Sequence, residues 1–353
     1  MPALFDPITV GDLKLPNRVI MAPLTRMRAT PESRVPNALM AEYYAQRASA
    51  GMILSEATSV TPMGVGYPDT PGIWSKEQAE GWKLITRAVH QAGGRIMMQL
   101  WHVGRISHPA YLDGKLPLAP SAIAPEGHVS VMRPKTPYVV PRAIERDEIP
   151  GIVEAYRVGA QHALDAGFDG VEIHGANGYL LDQFLQDSTN KRTDDYGGPV
   201  ENRARLMLEA VDAAVSVWGP KRVGLHLAPR GDAHSMGDSN PLATFSYVAR
   251  EAKARGLAFL CAREHLGEGR IGPELKQVFG GVYIANEGFT GETAQEVIAK
   301  GEADAVAFGK LFIANPDLPA RLARGAELNA WAQETFYGGG ANGYTDYPAL
   351  VDA

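Results

Sequence analysis

Apolar residues in this chain fall in short runs of four or five, separated by longer stretches in which they recur every three or four positions. The short runs occupy residues 18–22, 52–56, 96–100, 170–173, 223–227, 258–261, 281–284 and 305–308. Their length and aliphatic composition predict buried strands. Helical periodicity covers residues 37–48, 75–91, 148–166, 201–218, 242–255, 273–278, 290–300 and a segment near 317–324. Strands and helices therefore alternate through eight βα units, which predicts an α/β fold of the (β/α)8 TIM-barrel type. Alternation alone does not separate a closed barrel from an open doubly wound sheet. Two short apolar segments around Gly11-Asp12 precede the first strand and predict an N-terminal β-hairpin cap on the barrel floor. Residues 103–145, rich in Pro, Gly and Ser and without helical period, predict a long excursion after strand 3, on the face where such barrels keep their chemistry. No linker interrupts the pattern, so residues 1–353 are expected to form one domain.

Composition narrows the functional classes. A formal charge of -6, with Lys and Arg scattered singly, argues against nucleic acid, because no basic block is available to neutralise phosphates. No run of about 18 apolar residues is present, and the start, Met1-Pro2-Ala3-Leu4-Phe5, lacks a basic segment followed by an apolar one. The expectation is a cytoplasmic protein with no membrane partner. Cys261 is the only cysteine, so a disulfide within the chain is impossible, and its apolar neighbours predict an inert core thiol with no metal to hold.

Chemistry concentrates in Glu172-Ile173-His174-Gly175-Ala176-Asn177-Gly178-Tyr179, where an apolar strand ends in an imidazole, an amide and a phenol. Glycines there let the backbone turn sharply, so that His174 and Asn177 face one small volume, an anion holder beside a proton source. The run Gly338-Gly339-Gly340-Ala341-Asn342-Gly343 satisfies a dinucleotide-binding pattern but follows no strand and leaves too little chain for a βαβ unit. Its aromatic neighbours Phe336, Tyr337, Tyr344 and Tyr347 suggest either a loop closing over a pocket or a tail packed on the barrel. A phosphate is better placed at Asn286-Glu287-Gly288 after the seventh strand and Gly309-Lys310 after the eighth, where barrels often bind one.

Further motifs carry a family resemblance. Pro16-Asn17-Arg18-Val19-Ile20-Met21-Ala22-Pro23-Leu24-Thr25-Arg26, Tyr43-Tyr44-Ala45-Gln46-Arg47, Ser55-Glu56-Ala57-Thr58, Gln99-Leu100-Trp101-His102, Tyr196-Gly197-Gly198 and Tyr344-Thr345-Asp346-Tyr347-Pro348 resemble the old yellow enzyme family of ene-reductases. The resemblance implies a TIM barrel with non-covalent FMN and NADPH or NADH as electron donor. It implies Pro23, Leu24, Thr25, Ala57 and Gln99 against the flavin ring, with Gly288, Gly309 and Lys310 on its phosphate. It also implies that His174 and Asn177 bind the substrate carbonyl, that Tyr179 gives the proton, and that Tyr67, Trp101 and Tyr344 line the substrate cavity. Thr25 is similar to the branch with threonine rather than cysteine at that position. Implied substrates are small-molecule activated alkenes: cyclic enones, maleimides and nitroalkenes. Either a monomer or a homodimer is compatible. One position departs from the family: an arginine expected in the fifth strand, aimed at the flavin pyrimidine, is His226 here. Either a protonated His226 or Arg230 at the strand end would have to supply that charge. A barrel lyase or aldolase is the competing class, and it would need a Schiff-base lysine or a metal cluster that the strand ends do not offer.

Overall fold

The computed structural model describes residues 3–350. Eight parallel strands, β1 (Val19–Met21), β2 (Met52–Leu54), β3 (Ile96–Trp101), β4 (Val171–Gly175), β5 (Val223–Leu227), β6 (Phe259–Arg263), β7 (Val282–Asn286) and β8 (Ala305–Phe308), follow one another around a ring. Phe308 of β8 pairs with Met21 of β1, and Leu54 of β2 with Met97 of β3, so no barrel edge is left open. This closure settles the alternative left by the alternation in favour of the barrel.

The helices are α1 (Ala38–Gln46), α2 (Lys76–Gln91), α3 (Ile149–Asp165), α4 (Arg205–Trp218), α5 (Pro241–Ala254), α6 (Gly272–Phe279), α7 (Gly291–Ala299) and α8 (Leu318–Arg324). Their starts follow from capping chemistry. Ser75 accepts from the Gln78 amide while the Gln78 side chain returns to the Ser75 N–H, and Asn37 and Asn240 cap α1 and α5 with single bonds. In α2, Ala79, Trp82, Ile85, Thr86 and Val89 are buried at three- and four-residue spacing, the face that packs on the barrel. The helix expected over 201–218 is in two pieces, because Arg203 and Ala204 bond back to Pro199 and Val200 and close a first short turn, Val200–Arg203. Two helices too short to show a period, Leu180–Leu185 after β4 and Lys310–Ala314 after β8, were not anticipated. No helix among the described residues is long and apolar enough to cross a membrane.

Strands Ile8–Val10 and Leu13–Leu15 form the expected hairpin. Val10, Leu13 and Leu15 pack with Ile20, Met52 and Phe259 in the lower barrel axis, so the floor is closed by apolar contact rather than open as a pore. The excursion between β3 and α3 carries a two-residue parallel pair, Leu118–Ala119 with Arg142–Ala143. Arg142 makes a bidentate pair with Glu148 at 2.6 and 2.7 Å at the start of α3, which supports a structural role for it. Val103 and Ile106 of the same excursion pack behind Tyr67 and Trp101.

The hairpin turn has no room for a side chain. Gly11 has φ +57°, and a Cβ there would lie 1.9 Å from the Lys221 carbonyl oxygen. Gly11→Ala is expected to lower stability by about 1–3 kcal/mol through this clash and the left-handed backbone. Urea denaturation checks it; an unchanged midpoint would mean that the hairpin does not hold the floor.

Candidate active site

A cavity of about 660 Å³ opens at the C-terminal ends of the strands. His174 lies on β4 and points into it, 4% exposed. The Ala176 N–H donates to His174 Nδ1 at 3.3 Å, which places the ring proton on Nε2. Burial, with His226 and Arg263 nearby, holds the imidazole well below its ordinary pKa, so it is a neutral donor. The chain then turns through Asn177 (φ 60°) and Gly178 (φ 77°), left-handed conformations that asparagine and glycine tolerate. Asp182 clamps this turn by accepting from the Gly178 N–H at 2.8 Å, and burial raises its carboxyl pKa to about 7. Tyr179 follows, edge-on to Trp101 at 4.9 Å and to His174 at 5.1 Å. Its hydroxyl meets that of Tyr67 at 2.8 Å. Burial, then Tyr67, pushes the Tyr179 phenol well above the usual tyrosine range, so it keeps its proton at neutral pH.

Polar side chains also fill the floor beneath. Gln99 Nε2 donates to Glu172 Oε2 at 2.7 Å, and His226 Nδ1 lies 3.3 Å from the same oxygen. On its other side His226 Nε2 lies 4.0 Å from Cys261 Sγ. Burial disfavours an imidazolium, yet Cys261 and Glu172 together lift the His226 pKa to about 10. Burial pushes the Cys261 thiol up, while the His226 ring beside it works in the opposite direction. The thiol is buried as expected, but it abuts a charged ring rather than plain apolar core.

One wall is apolar, from Pro23, Leu24, Ala57 and Phe308, with the Thr25 hydroxyl among them. Gly288, Thr290, Gly309 and Lys310 also line the cavity. A Cβ on Gly309 would press on Leu24 at 3.3 Å, so the backbone itself forms the wall there. Among the described residues no carboxylate pairs with Lys310. A flat ring with an amide edge, ending in a phosphate, fits this donor set: apolar sides, a glutamine that can give and accept, glycine amides and a lysine with no carboxylate partner among the described residues.

Of the residues expected at the site, Tyr344 does not reach the cavity. It is fully buried, stacked on Tyr43 at 4.0 Å, with the Arg28 guanidinium 4.3 Å from its ring. Phe336 and Tyr337 of the same segment do line the cavity, so both readings of that loop are partly realised. Tyr67 is set back behind Tyr179 rather than on the cavity surface. Arg230 turns to Glu264 at 3.8 Å and is not among the lining groups, whereas His226 is. Sequence reasoning missed Arg263 and His265, and it named Glu287 only as part of the phosphate loop. The first ends β6 and lies 2.6 Å from Glu287, and single charges at strand ends carried no recognisable signal.

A parallel barrel whose cavity suits a flat ring and a phosphate, with buried hydrogen-bond donors beside it, fits the class of flavin oxidoreductases. The model of the NADH:flavin oxidoreductase / NADH oxidase family matches residues 3–329. Morphinone reductase, solved in complex with tetrahydroNAD, superposes with a TM-score of 0.96 at 51% identity over 100% of this chain and 99% of that one. The old yellow enzyme homologue from Zymomonas mobilis gives 0.96 at 46% identity over 99% of this chain and 100% of that one. 12-Oxophytodienoate reductase 2 of Arabidopsis thaliana is 41% identical over 98% of this chain and 96% of its own length. The chain belongs to the old yellow enzyme family, and it is an FMN-dependent ene-reductase that uses a nicotinamide nucleotide.

The charge on His226 should be visible in the flavin midpoint potential. A group whose pKa is raised to about 10 stays protonated at neutral pH and loses its charge as pH rises through that value. At pH 7 the potential should therefore be more positive in wild type than in His226→Gln, with the gap closing as pH passes about 10. A gap of constant size across the range would remove His226 from that role.

Proposed function

We propose that the enzyme reduces the activated C=C bond of α,β-unsaturated carbonyl compounds, maleimides or nitroalkenes at the expense of NADPH or NADH, in two half-reactions that share one cavity. The observation that carries this reading is the convergence of three donors, His174 Nε2–H, the Asn177 amide and the Tyr179 hydroxyl, on the same volume. Relatives named for a ketone or oxo-acid substrate, morphinone and 12-oxophytodienoate, point the same way.

FMN, when bound, supplies hydride taken from the nicotinamide. Pro23, Leu24, Thr25, Ala57 and Gln99 would hold its ring, His226 would set a positive charge beneath, and Gly288, Gly309 and Lys310 would hold its phosphate. As the β-carbon gains hydride, negative charge gathers on the substrate oxygen. Donors aimed at that oxygen, here His174 and Asn177, are typically worth about 3 kcal/mol each in acyl-transfer enzymes. Because His174 is neutral, it gives a hydrogen bond and does not surrender a second proton. Tyr179 then delivers its proton to the α-carbon, and Tyr67 stands behind it to donate to the oxygen left behind. Proton and hydride together saturate the bond. Trp101 packs edge-on against Tyr179 and keeps the phenol aimed. Since a nicotinamide carries a carboxamide oxygen, the same pair can seat either partner, so donor and acceptor exclude one another and ping-pong kinetics follow.

Two variants test this reading. Replacing both His174 and Asn177 with Ala should weaken enone binding and cut turnover by at least about 100-fold; steady-state rates with cyclohexenone check it, and unaltered kinetics would discard the pair. Tyr179→Phe should slow enone reduction while flavin reduction by nicotinamide stays close to wild type, as stopped-flow absorbance of each half-reaction would record. Equal slowing of both would contradict the proton-donor role.

A further inference from the structure

We propose that Arg263 is a positioning residue that fixes the Asn177 side chain as a hydrogen-bond donor, with Glu287 holding the guanidinium in place. The inference rests on the reading of His174 and Asn177 as the oxygen-binding pair and adds to it the device that orients one of its members. An asparagine amide offers an acceptor on one side and a donor on the other, and left alone it could present either to a ligand. Arg263 Nη1 lies 3.0 Å from the Asn177 side chain. A guanidinium has five N–H groups and no acceptor, so only the amide oxygen can face it. The NH2 group is then turned the other way, and among the described residues no protein group accepts from it.

The surroundings of this pair leave little freedom. The Asn177 carbonyl accepts from His234 Nδ1 at 2.7 Å, so the backbone is tied to the loop after β5 and the side chain to the end of β6. Arg263 is the last residue of β6, in register with Asn286 of β7. Its second nitrogen, Nη2, lies 2.6 Å from Glu287 Oε1, which also lies 3.2 Å from His265 Nε2. Glu287 has φ 94°, a conformation rare outside glycine, immediately before Gly288. The chain Glu287–Arg263–Asn177 thus runs from the loop proposed for the phosphate to the pair proposed for the substrate oxygen. A charged donor on the amide oxygen also polarises the amide, which strengthens its N–H as a donor.

Binding of p-nitrophenolate to the FMN-loaded protein, followed through the visible flavin spectrum, tests this, because a phenolate presents the oxyanion that the pair is built to hold. Arg263→Leu should weaken binding about tenfold with flavin content as in wild type, the scale of a charge-assisted bond. Arg263→Lys should recover part of the loss. In an Asn177→Ala background the same Arg263→Leu change should cost only about twofold, since its target is already gone. A penalty of equal size in both backgrounds would mean that Arg263 touches ligand or cofactor directly, and would overturn the inference, as would an Arg263→Leu protein that binds like wild type. If His174→Ala and Asn177→Ala themselves leave the affinity unchanged, the reading of the pair fails and the role of Arg263 fails with it.

Discussion

Burial of polar groups along the upper axis of a closed barrel is the constraint from which the chemistry of this protein follows. A ring of eight parallel strands has to fill its own centre. The lower half does so with methionine, leucine, isoleucine and alanine, sealed by the hairpin. The upper half does so with Gln99, Glu172, His174 and His226, each no more than 4% exposed. Groups so placed have little water to complete their hydrogen bonds and turn to one another or to what occupies the cavity, although Glu172 Oε1 is left without a partner. Protonation states and donor directions are therefore consequences of packing. Cys261 and Glu172 together keep a proton on His226, a backbone amide keeps one off Nδ1 of His174, and Tyr67 meets the hydroxyl of Tyr179.

A second set of buried charges holds the cavity wall. Arg26, Arg28 and Arg47 spend their N–H groups on backbone carbonyls of the C-terminal segment and its neighbours: Arg26 on Phe336 and Gly343, Arg28 on Thr335 and Gly340, Arg47 on Phe312 and Ile313. A fork of five donors suits a stretch of irregular chain whose carbonyls have no ladder to join. The rings of Tyr43 and Tyr344 lie between these guanidiniums, with Arg47 3.7 Å from Tyr43 and Arg28 4.3 Å from Tyr344. The segment after α8 is thereby fastened to the loop after β1 and to α1, and it brings Phe336 and Tyr337 to the mouth of the cavity.

What could be read from the chain and what could not divide along sequence distance. Each barrel strand was legible because a short, mostly apolar run of four or five residues carries it, and each long helix because capping and periodicity are local. His174, Asn177 and Tyr179 were legible as candidates because one strand and its turn present all three. Closure was expected from the count of eight βα units, although the pairing of Phe308 with Met21 that completes it leaves no mark in either segment. Arg263 was not legible, because its meaning depends on a partner 86 residues away on the far side of β5. Tyr344 failed for a related reason. An aromatic residue in a C-terminal run can face a cavity or a buried guanidinium, and the stack with Tyr43 that decides it crosses almost the whole chain.

The orientation of the polar groups sets what the cavity can accept. His174 Nε2, the Asn177 amide nitrogen and Arg263 are all donors at or near one end, and the carboxylates of the region, Glu172 and Glu287, are already engaged by His226 and Arg263. A ligand whose own oxygen is a donor, such as a saturated alcohol, would set N–H against O–H and satisfy the wall only through its lone pairs. A carbonyl or nitro oxygen has no proton to misplace and can take two of these bonds at once. In the proposed reaction, reduction of the adjacent C=C bond would move negative charge onto that oxygen, so the match would improve along the reaction and not before it. Once the product's oxygen is an ordinary saturated ketone, the charge is gone and the extra strength of those bonds goes with it, which favours release and leaves the donors free for the next carboxamide or enone.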